Sequence, residues 1–349
     1  MSLFIDFPAW ISPEIVPGLP VRWYGLMYIV AFFITYALFR YQARRGEIDI
    51  DSDDSLSLFL WTIGGLLIGA RLFSVLFYDG TTYYWTHPWM IFWPWRNGRF
   101  VGLPGMSYHG GLVGAVAGAL IFCRLHKKSF FVMADAMVAG IPLGYTFGRI
   151  GNFINGELWG RVTTKSWGIV FPDAPSYSTN YQWVRDIADL VGIPYGPGAM
   201  VNLPRHPSQL YEALFEGIVL WLVVWFILRP MLKKRFPGFL LSCYLIGYGL
   251  IRFVIEYFRE PDGNLGFIIS LGSVSEPTAL FQSFLNISMG QIFCFLMILG
   301  GILLYTVARH RFRMSGSPAA GDGKVVRADA KRTGNGYGRQ GNHTRKRGH

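Results

Sequence analysis

The chain has 349 residues, of which 52% are hydrophobic and only 15% charged, against about 25% charged in ordinary soluble domains. That balance excludes disorder, a collagen-like fibre and a small disulfide scaffold, and it leaves too little polar surface for a soluble core of this size. The formal charge of +11 does not mark a nucleic-acid binder: residues 309–349 hold eleven Lys/Arg against Asp322 and Asp329, a balance of +9, so the other 308 residues contribute only +2.

Seven apolar stretches approach the roughly 20 residues that a membrane-crossing helix needs: 23–41, 56–78, 107–123, 130–149, 209–228, 238–257 and 288–308. Gly65 and Gly69 in the second, and Gly111, Gly114 and Gly118 in the third, allow close backbone approach. Basic residues cluster after alternate spans: Arg40, Arg44 and Arg45, then Arg124, Lys127 and Lys128, then Arg229, Lys233, Lys234 and Arg235, then the tail. The positive-inside rule makes those loops cytoplasmic, which sets the N-terminus outside and the C-terminus in the cytoplasm. The outer segments 79–106, 150–208 and 258–287 are poor in positive charge, and the first carries Tyr83, Tyr84, Trp85, Trp89, Trp93 and Trp95, suited to a headgroup layer.

The expected fold is therefore all-α, a polytopic integral membrane protein with seven transmembrane helices. Residues 1–308 form the transmembrane domain, with 158–206 as a small outer-face subdomain, and 309–349 form a disordered basic cytoplasmic tail. Cys123, Cys243 and Cys294 lie in separate apolar runs and read as small core residues. The N-terminus lacks the basic region of a cleavable signal peptide, and no internal repeat of the inverted-transporter kind is evident.

Charged side chains within spans cost about 2.5–3.5 kcal/mol on insertion scales and point to function. With this orientation, Arg22 and Tyr24, Arg71, His109, Arg149, Gln209 and Glu212, and Arg252 and Glu256 all fall toward the outer leaflet, and one site is expected to collect them. Tyr248, Arg252, Glu256 and Arg259 share a helical face. Gln209, Glu212 and Glu216 form a similar stripe, for which helix–helix hydrogen bonding is the expected role of the two carboxylates. The stretch Arg149-Ile-Gly-Asn152-Phe-Ile-Asn155-Gly-Glu157-Leu-Trp-Gly160 sets a guanidinium, two amides and a carboxylate at a helix end. Arg matches phosphate geometry, and His109 is a potential base. No metal-ligand spacing and no nucleotide loop is present. From the residues alone this is a lipid-headgroup site with acid–base potential, open to three readings: an enzyme, an ion or lipid transporter, and a lipid-binding scaffold.

The run Gly148–Gly160 resembles the signature of the bacterial prolipoprotein diacylglyceryl transferases. Arg22–Tyr28, Tyr108–Leu112, His206–Glu212 and Tyr248–Phe253 resemble that family's other blocks, in the family's order. The resemblance implies a multi-pass enzyme of the bacterial inner membrane, without cofactor or metal. It implies transfer of the sn-1,2-diacylglyceryl group of phosphatidylglycerol to the lipobox cysteine thiol of prolipoprotein signal peptides, the first step of lipoprotein maturation. A thioether forms and glycerol 1-phosphate leaves. By the same resemblance His109 is the base, and Arg149 and Arg252 hold the phosphate. Tyr24, Asn152, Asn155, Glu157, Gly160 and Glu256 join Arg149 in binding phosphatidylglycerol. The partners implied are that lipid, the signal peptides and membrane lipids, and no nucleic acid.

Overall fold

The computed structural model describes residues 3–16, 22–80, 82–96, 98–100, 102, 105–261, 266–271 and 278–315. Its long helices are α1 (Trp23–Arg44), α2 (Ser52–Phe77), α4 (Tyr108–Leu125), the pair α5 (Phe130–Val138) and α6 (Ile141–Ile154), α8 (Ser208–Leu232), α9 (Phe239–Ile255) and α10 (Met289–Met314). Two shorter helices, α3 (Tyr83–Thr86) and α7 (Gln182–Val191), lie in the segments between them. Among the described residues, five helices are long and apolar enough to cross a membrane, or six if the bent pair α5–α6 counts as one span, while α9 is a shorter apolar helix of 17 residues.

Local chemistry sets several starts. Asp51 accepts the Asp54 N–H at 2.7 Å to cap α2, Ser107 accepts the Gly110 N–H to cap α4, and Ser288 with Gln291 closes a capping box on α10. The expected single helix over 130–149 is instead two helices meeting at 50°. Gly140 carries no side chain at the break, and Pro142 follows inside the first turn of α6, where its missing N–H costs nothing. Asp135 of α5 is buried and accepts the N–H groups of Gly238 at 2.7 Å and Leu241 at 2.8 Å, so it caps α9 from a neighbouring helix.

The closest helix contact is a glycine seam between α2 and α4. A Cβ on Gly114 would lie 2.0 Å from the Gly65 carbonyl oxygen, and one on Gly69 would lie 2.4 Å from that of Gly110. These two helices join the rest at their inner ends, through a cluster of Phe39 of α1, Leu58 and Phe59 of α2, Phe122 and Cys123 of α4, and Met133 and Ala136 of α5. Elsewhere α6 packs on α1 through Gly144 and on α8 through Gly217, whose Cβ would sit 2.1 Å from the Thr146 hydroxyl. Within α8, Glu212–Val219 and Val223–Leu228 are π-helical, a rare i→i+5 geometry that gathers at functional sites.

Outside the bundle, the described residues depart from all-helix through four two-stranded pairings. These are β1 (Ile5–Asp6) with β4 (Ile169–Val170), parallel, and three antiparallel pairs: β2 (Trp95–Arg96) with β3 (Arg99–Phe100), β5 (Ser176–Ser178) with β6 (Met200–Asn202), and β7 (Phe267–Ser270) with β8 (Asn286–Ser288). The 158–206 segment has its own core of Val162, Val184, Ala188, Val201 and Leu203, completed by Ala279. The helix α10 runs to Met314, past the expected boundary at 308, because its apolar turns carry Arg309, Arg311 and Arg313 along as the basic end of a helix. The rest of the expected tail, 316–349, lies outside the described residues.

Candidate active site

The last turns of α6 carry Tyr145, Arg149 and Asn152 on one face, at i, i+4 and i+7. Across from them, the π-helical turn of α8 presents Glu212 and Glu216, and α9 presents Arg252, followed just past its end by Glu256 and Arg259. Glu212 is the hub. Its Oε2 lies 2.8 Å from Arg149 Nε, and its Oε1 lies 3.1 Å from Arg252 Nη1 and 2.7 Å from Arg259 Nη1. Arg252 also reaches Glu216 at 3.5 Å and Glu256 at 3.0 Å, and Arg259 reaches Glu256 at 3.5 Å. Tyr145 donates to Glu216 at 2.5 Å, accepts from Arg149 Nε at 2.6 Å, and lies flat beneath the Arg149 guanidinium at 4.7 Å.

Three guanidiniums thus meet three carboxylates, but the two signs are not equally covered. The side chains of Glu212 and Glu216 are 0% exposed, whereas those of Arg149, Arg252 and Arg259 keep 17%, 15% and 16%. The carboxylates form the back wall and the cations the front, an arrangement that holds positive charge preorganised at an open edge. The signature continues the network: Arg149 Nη1 donates to Asn152 at 3.5 Å, Asn152 donates to Glu157 at 2.9 Å, and Gln209 donates to the Glu157 carbonyl at 2.6 Å. Ser288 donates to Glu256 at 3.1 Å, which ties the cluster to the start of α10.

Two buried arginines of the 158–206 segment fix this frame. Arg161 donates to the carbonyls of Arg259 at 2.7 Å and Leu280 at 2.9 Å. Arg205 donates to the Gly160 carbonyl at 3.2 Å, to Tyr177 at 2.8 Å and to Glu260. Gly160 sits where a Cβ would lie 2.3 Å from the Phe258 carbonyl oxygen and 2.8 Å from His206. Its place in the structure is a backbone crossing. His206 shares its Nδ1 with the Tyr211 hydroxyl at 3.1 Å, and burial, with Lys165 and Arg161 nearby, pushes its pKa down to about 4.

Of the expected site residues, Arg149, Arg252, Glu256, Asn152, Glu157, Gln209 and Glu212 come together. Tyr24 donates to Tyr28 at 3.0 Å and stands within electrostatic reach of Arg149 and Glu157. Asn155 and Arg22 face a separate outer cavity that Glu157 also lines. Arg71 does not join. It is buried against its own outer loop, donating to the Ile91 carbonyl at 2.6 Å, the Gly105 carbonyl at 3.2 Å and Tyr84 at 2.8 Å. The expected single collection point fails there because depth in the membrane does not fix which way a helix face turns.

His109 lies one residue into α4 with its ring 5.2 Å from that of Phe293 on α10. Among the described residues no hydrogen bond or ion pair ties it to the cluster. Its neighbour Tyr108 is 72% exposed and stands within electrostatic reach of Arg149, Arg252 and Glu216. The expected helix–helix hydrogen bonding of Glu212 and Glu216 is present, in the bonds each accepts from Tyr145, and both are in addition counter-charges of the arginines. Tyr145 was not singled out from the sequence, although its i,i+4 spacing to Arg149 was the available signal. Among the described residues no group of three or more His, Cys, Asp or Glu is placed to hold a metal ion.

The prolipoprotein diacylglyceryl transferase family profile matches residues 11–307. The phosphatidylglycerol–prolipoprotein diacylglyceryl transferase of Treponema pallidum is 52% identical over 315 residues, covering 86% of this chain and 94% of that protein. The Treponema denticola enzyme of the same name is 50% identical over 320 residues, with the same coverage, and that of Chlorobaculum tepidum is 41% identical over 320, covering 88% and 96%. The chain belongs to the prolipoprotein diacylglyceryl transferase family of membrane enzymes.

Proposed function

We propose that the protein transfers the sn-1,2-diacylglyceryl group of phosphatidylglycerol to the lipobox cysteine of a prolipoprotein, forming a thioether and releasing glycerol 1-phosphate. The observation that carries this reading is the pair Arg149 and Arg252, held at an open edge by fully covered carboxylates behind them. In the step, the substrate thiolate attacks the glyceryl carbon that bears the phosphate. The C–S bond forms, the C–O bond breaks, and the electron pair leaves on the phosphate oxygen. Charge grows on that phosphate, where Arg149 and Arg252 already point. Fixed donors of this kind are worth about 10²–10³ in rate each. His109, beside Tyr108, takes the thiol proton. Tyr24, Asn152, Asn155, Glu157 and Glu256 shape the headgroup site, and Gly160 keeps the signature seated against the Phe258 backbone that follows α9.

The same reading makes α1, α2, α4, the bent α5–α6, α8, α9 and α10 seven spans of the bacterial inner membrane, with the N-terminus and the site at the outer face. The basic tail takes no part in the chemistry, and a chain ending at Ser315 is expected to turn over at the full-length rate. Detergent-purified protein incubated with phosphatidylglycerol and a lipobox peptide tests the reaction. The expected result is a peptide mass increment of one diacylglyceryl group, absent when the lipobox cysteine is serine or in Arg149→Ala. A folded sample that binds the lipid and yields no increment would favour a scaffold or transporter.

A further inference from the structure

Beside the ion cluster, on the outer side of the signature, lies a cavity of about 470 Å³ walled by Glu14, Arg22, Asn155, Glu157, Trp159 and Asp173, with Ser12 at its rim. We propose that it is a polyol site, which takes the glycerol end of the lipid headgroup while the phosphate rests on Arg149. The inference builds on the reading of the cluster as a phosphatidylglycerol site.

The chemistry of the wall selects for hydroxyls. Carboxylates and an amide accept from O–H donors, and an indole offers an apolar face to the intervening C–H groups. Three carboxylates against one guanidinium repel a phosphate, so the anionic part of a ligand stays with the arginines. Arg22 on the same wall opposes a cationic occupant. A chain of hydrogen bonds links the cavity wall to the cations, since Glu157 on that wall accepts from Asn152, and Asn152 in turn accepts from Arg149. A headgroup bound by phosphate at Arg149 therefore has its hydroxyls directed along Asn152 toward Glu157. The turn that builds this wall is local. Gly156, at a φ of +68°, reverses the chain after α6 and turns Asn155 and Glu157 to the same cavity. Asn155 has work left to do there, because its Oδ1 is covered and has no hydrogen-bond partner among the described residues.

The experiment compares phosphatidylglycerol with phosphatidylmethanol, which keeps the anionic phosphodiester and lacks the polyol, in the lipobox-peptide assay with full-length protein. The wild type is expected to favour the glycerol headgroup in kcat/KM by about tenfold or more, the worth of one or two hydroxyl hydrogen bonds. In Asp173→Ala and in Asn155→Ser that ratio is expected to fall toward one. A ratio reports the headgroup alone, since a partly misfolded variant loses rate on both lipids equally. A wild type that does not discriminate, variants that keep the wild-type ratio, or equal use of phosphatidylethanolamine would each overturn the assignment. If no lipid is used at all, the transferase reading falls instead, and saturation-transfer NMR decides the cavity separately. Glycerol 1-phosphate is expected to receive saturation on its carbon-bound protons, and to lose it in Asp173→Ala. Saturation of methyl phosphate to the same extent would remove the polyol site. The kinetic arm reads the intact lipid headgroup and the NMR arm the free glycerol phosphate, so the two sources of one chemistry are told apart.

Discussion

Glu212 gives Arg149 one carboxylate oxygen, at 2.8 Å from Nε, and keeps the other for Arg252 and Arg259. One covered carboxylate therefore fixes the direction of three guanidiniums. Glu212→Gln is expected to lower transfer at least about a hundredfold and to lower Tm by several degrees. Removing one member of a buried ionic set leaves the others uncompensated, at about 3–5 kcal/mol. Thermal unfolding in detergent alongside the peptide assay checks both, and a variant with wild-type Tm and rate would show that the arginines are positioned by something else.

The start of α4 offers a sharper test of the base. His109→Gln retains the size of the ring contact with Phe293 and removes the proton acceptor. Turnover is expected to drop by about 10²–10⁴, the usual worth of a general base, with KM for the lipid little changed. Near-normal kcat would assign the proton to another group.

The glycine seam predicts a stability effect far from the chemistry. In Gly114→Ala the new methyl would overlap the Gly65 carbonyl oxygen at 2.0 Å, and both atoms belong to helix backbones that cannot yield alone. Forcing α2 and α4 apart is expected to cost about 1–3 kcal/mol, read as a lower Tm. Gly148→Ala, where a Cβ meets nothing within 4 Å, is the matched control and should leave Tm unchanged.

His206 supplies the pH dependence. Its folded pKa is about 4 against 6.5 for the free ring, because burial and the neighbouring Lys165 and Arg161 oppose its charge. Between those values the unfolded chain binds the extra proton and the folded chain does not, so stability falls as pH drops from 6.5 to about 4 and His206 adds no further loss below that. His206→Gln is expected to flatten Tm against pH in that window; an unchanged slope would mean that other groups set it.

Much of this was legible beforehand, and the exceptions share a cause. Apolar runs, glycines and basic loops mark where helices lie, and Arg149 and Arg252 stand out because charge inside an apolar run is costly. What a linear pattern does not carry is rotation about the helix axis and the identity of partners on other helices. Arg71 has the same depth as Arg149 but turns to its own loop. Glu212 and Glu216 read as a polar stripe, and only the approach of α6 and α9 makes them counter-charges. The π-helical turns of α8 likewise have no signature in residue type. The bend at Gly140 does not show in hydropathy, because 130–149 is mostly apolar on both sides of it and reads as one segment where geometry makes two.

The inner cluster joining Phe39, Leu58, Phe122 and Met133 has a mechanical consequence. Bound tightly to each other by the glycine seam, α2 and α4 act as a single unit held at the end that carries Leu58 and Phe122. At the opposite end it meets α10 through one ring contact, His109 on Phe293. Load applied at that free end is taken up by side chains such as Tyr108 and Leu112, both exposed, and not by the packed core. The His109 end of this pair is therefore the side that yields, while the arginine cluster, held by its own carboxylates, keeps its geometry.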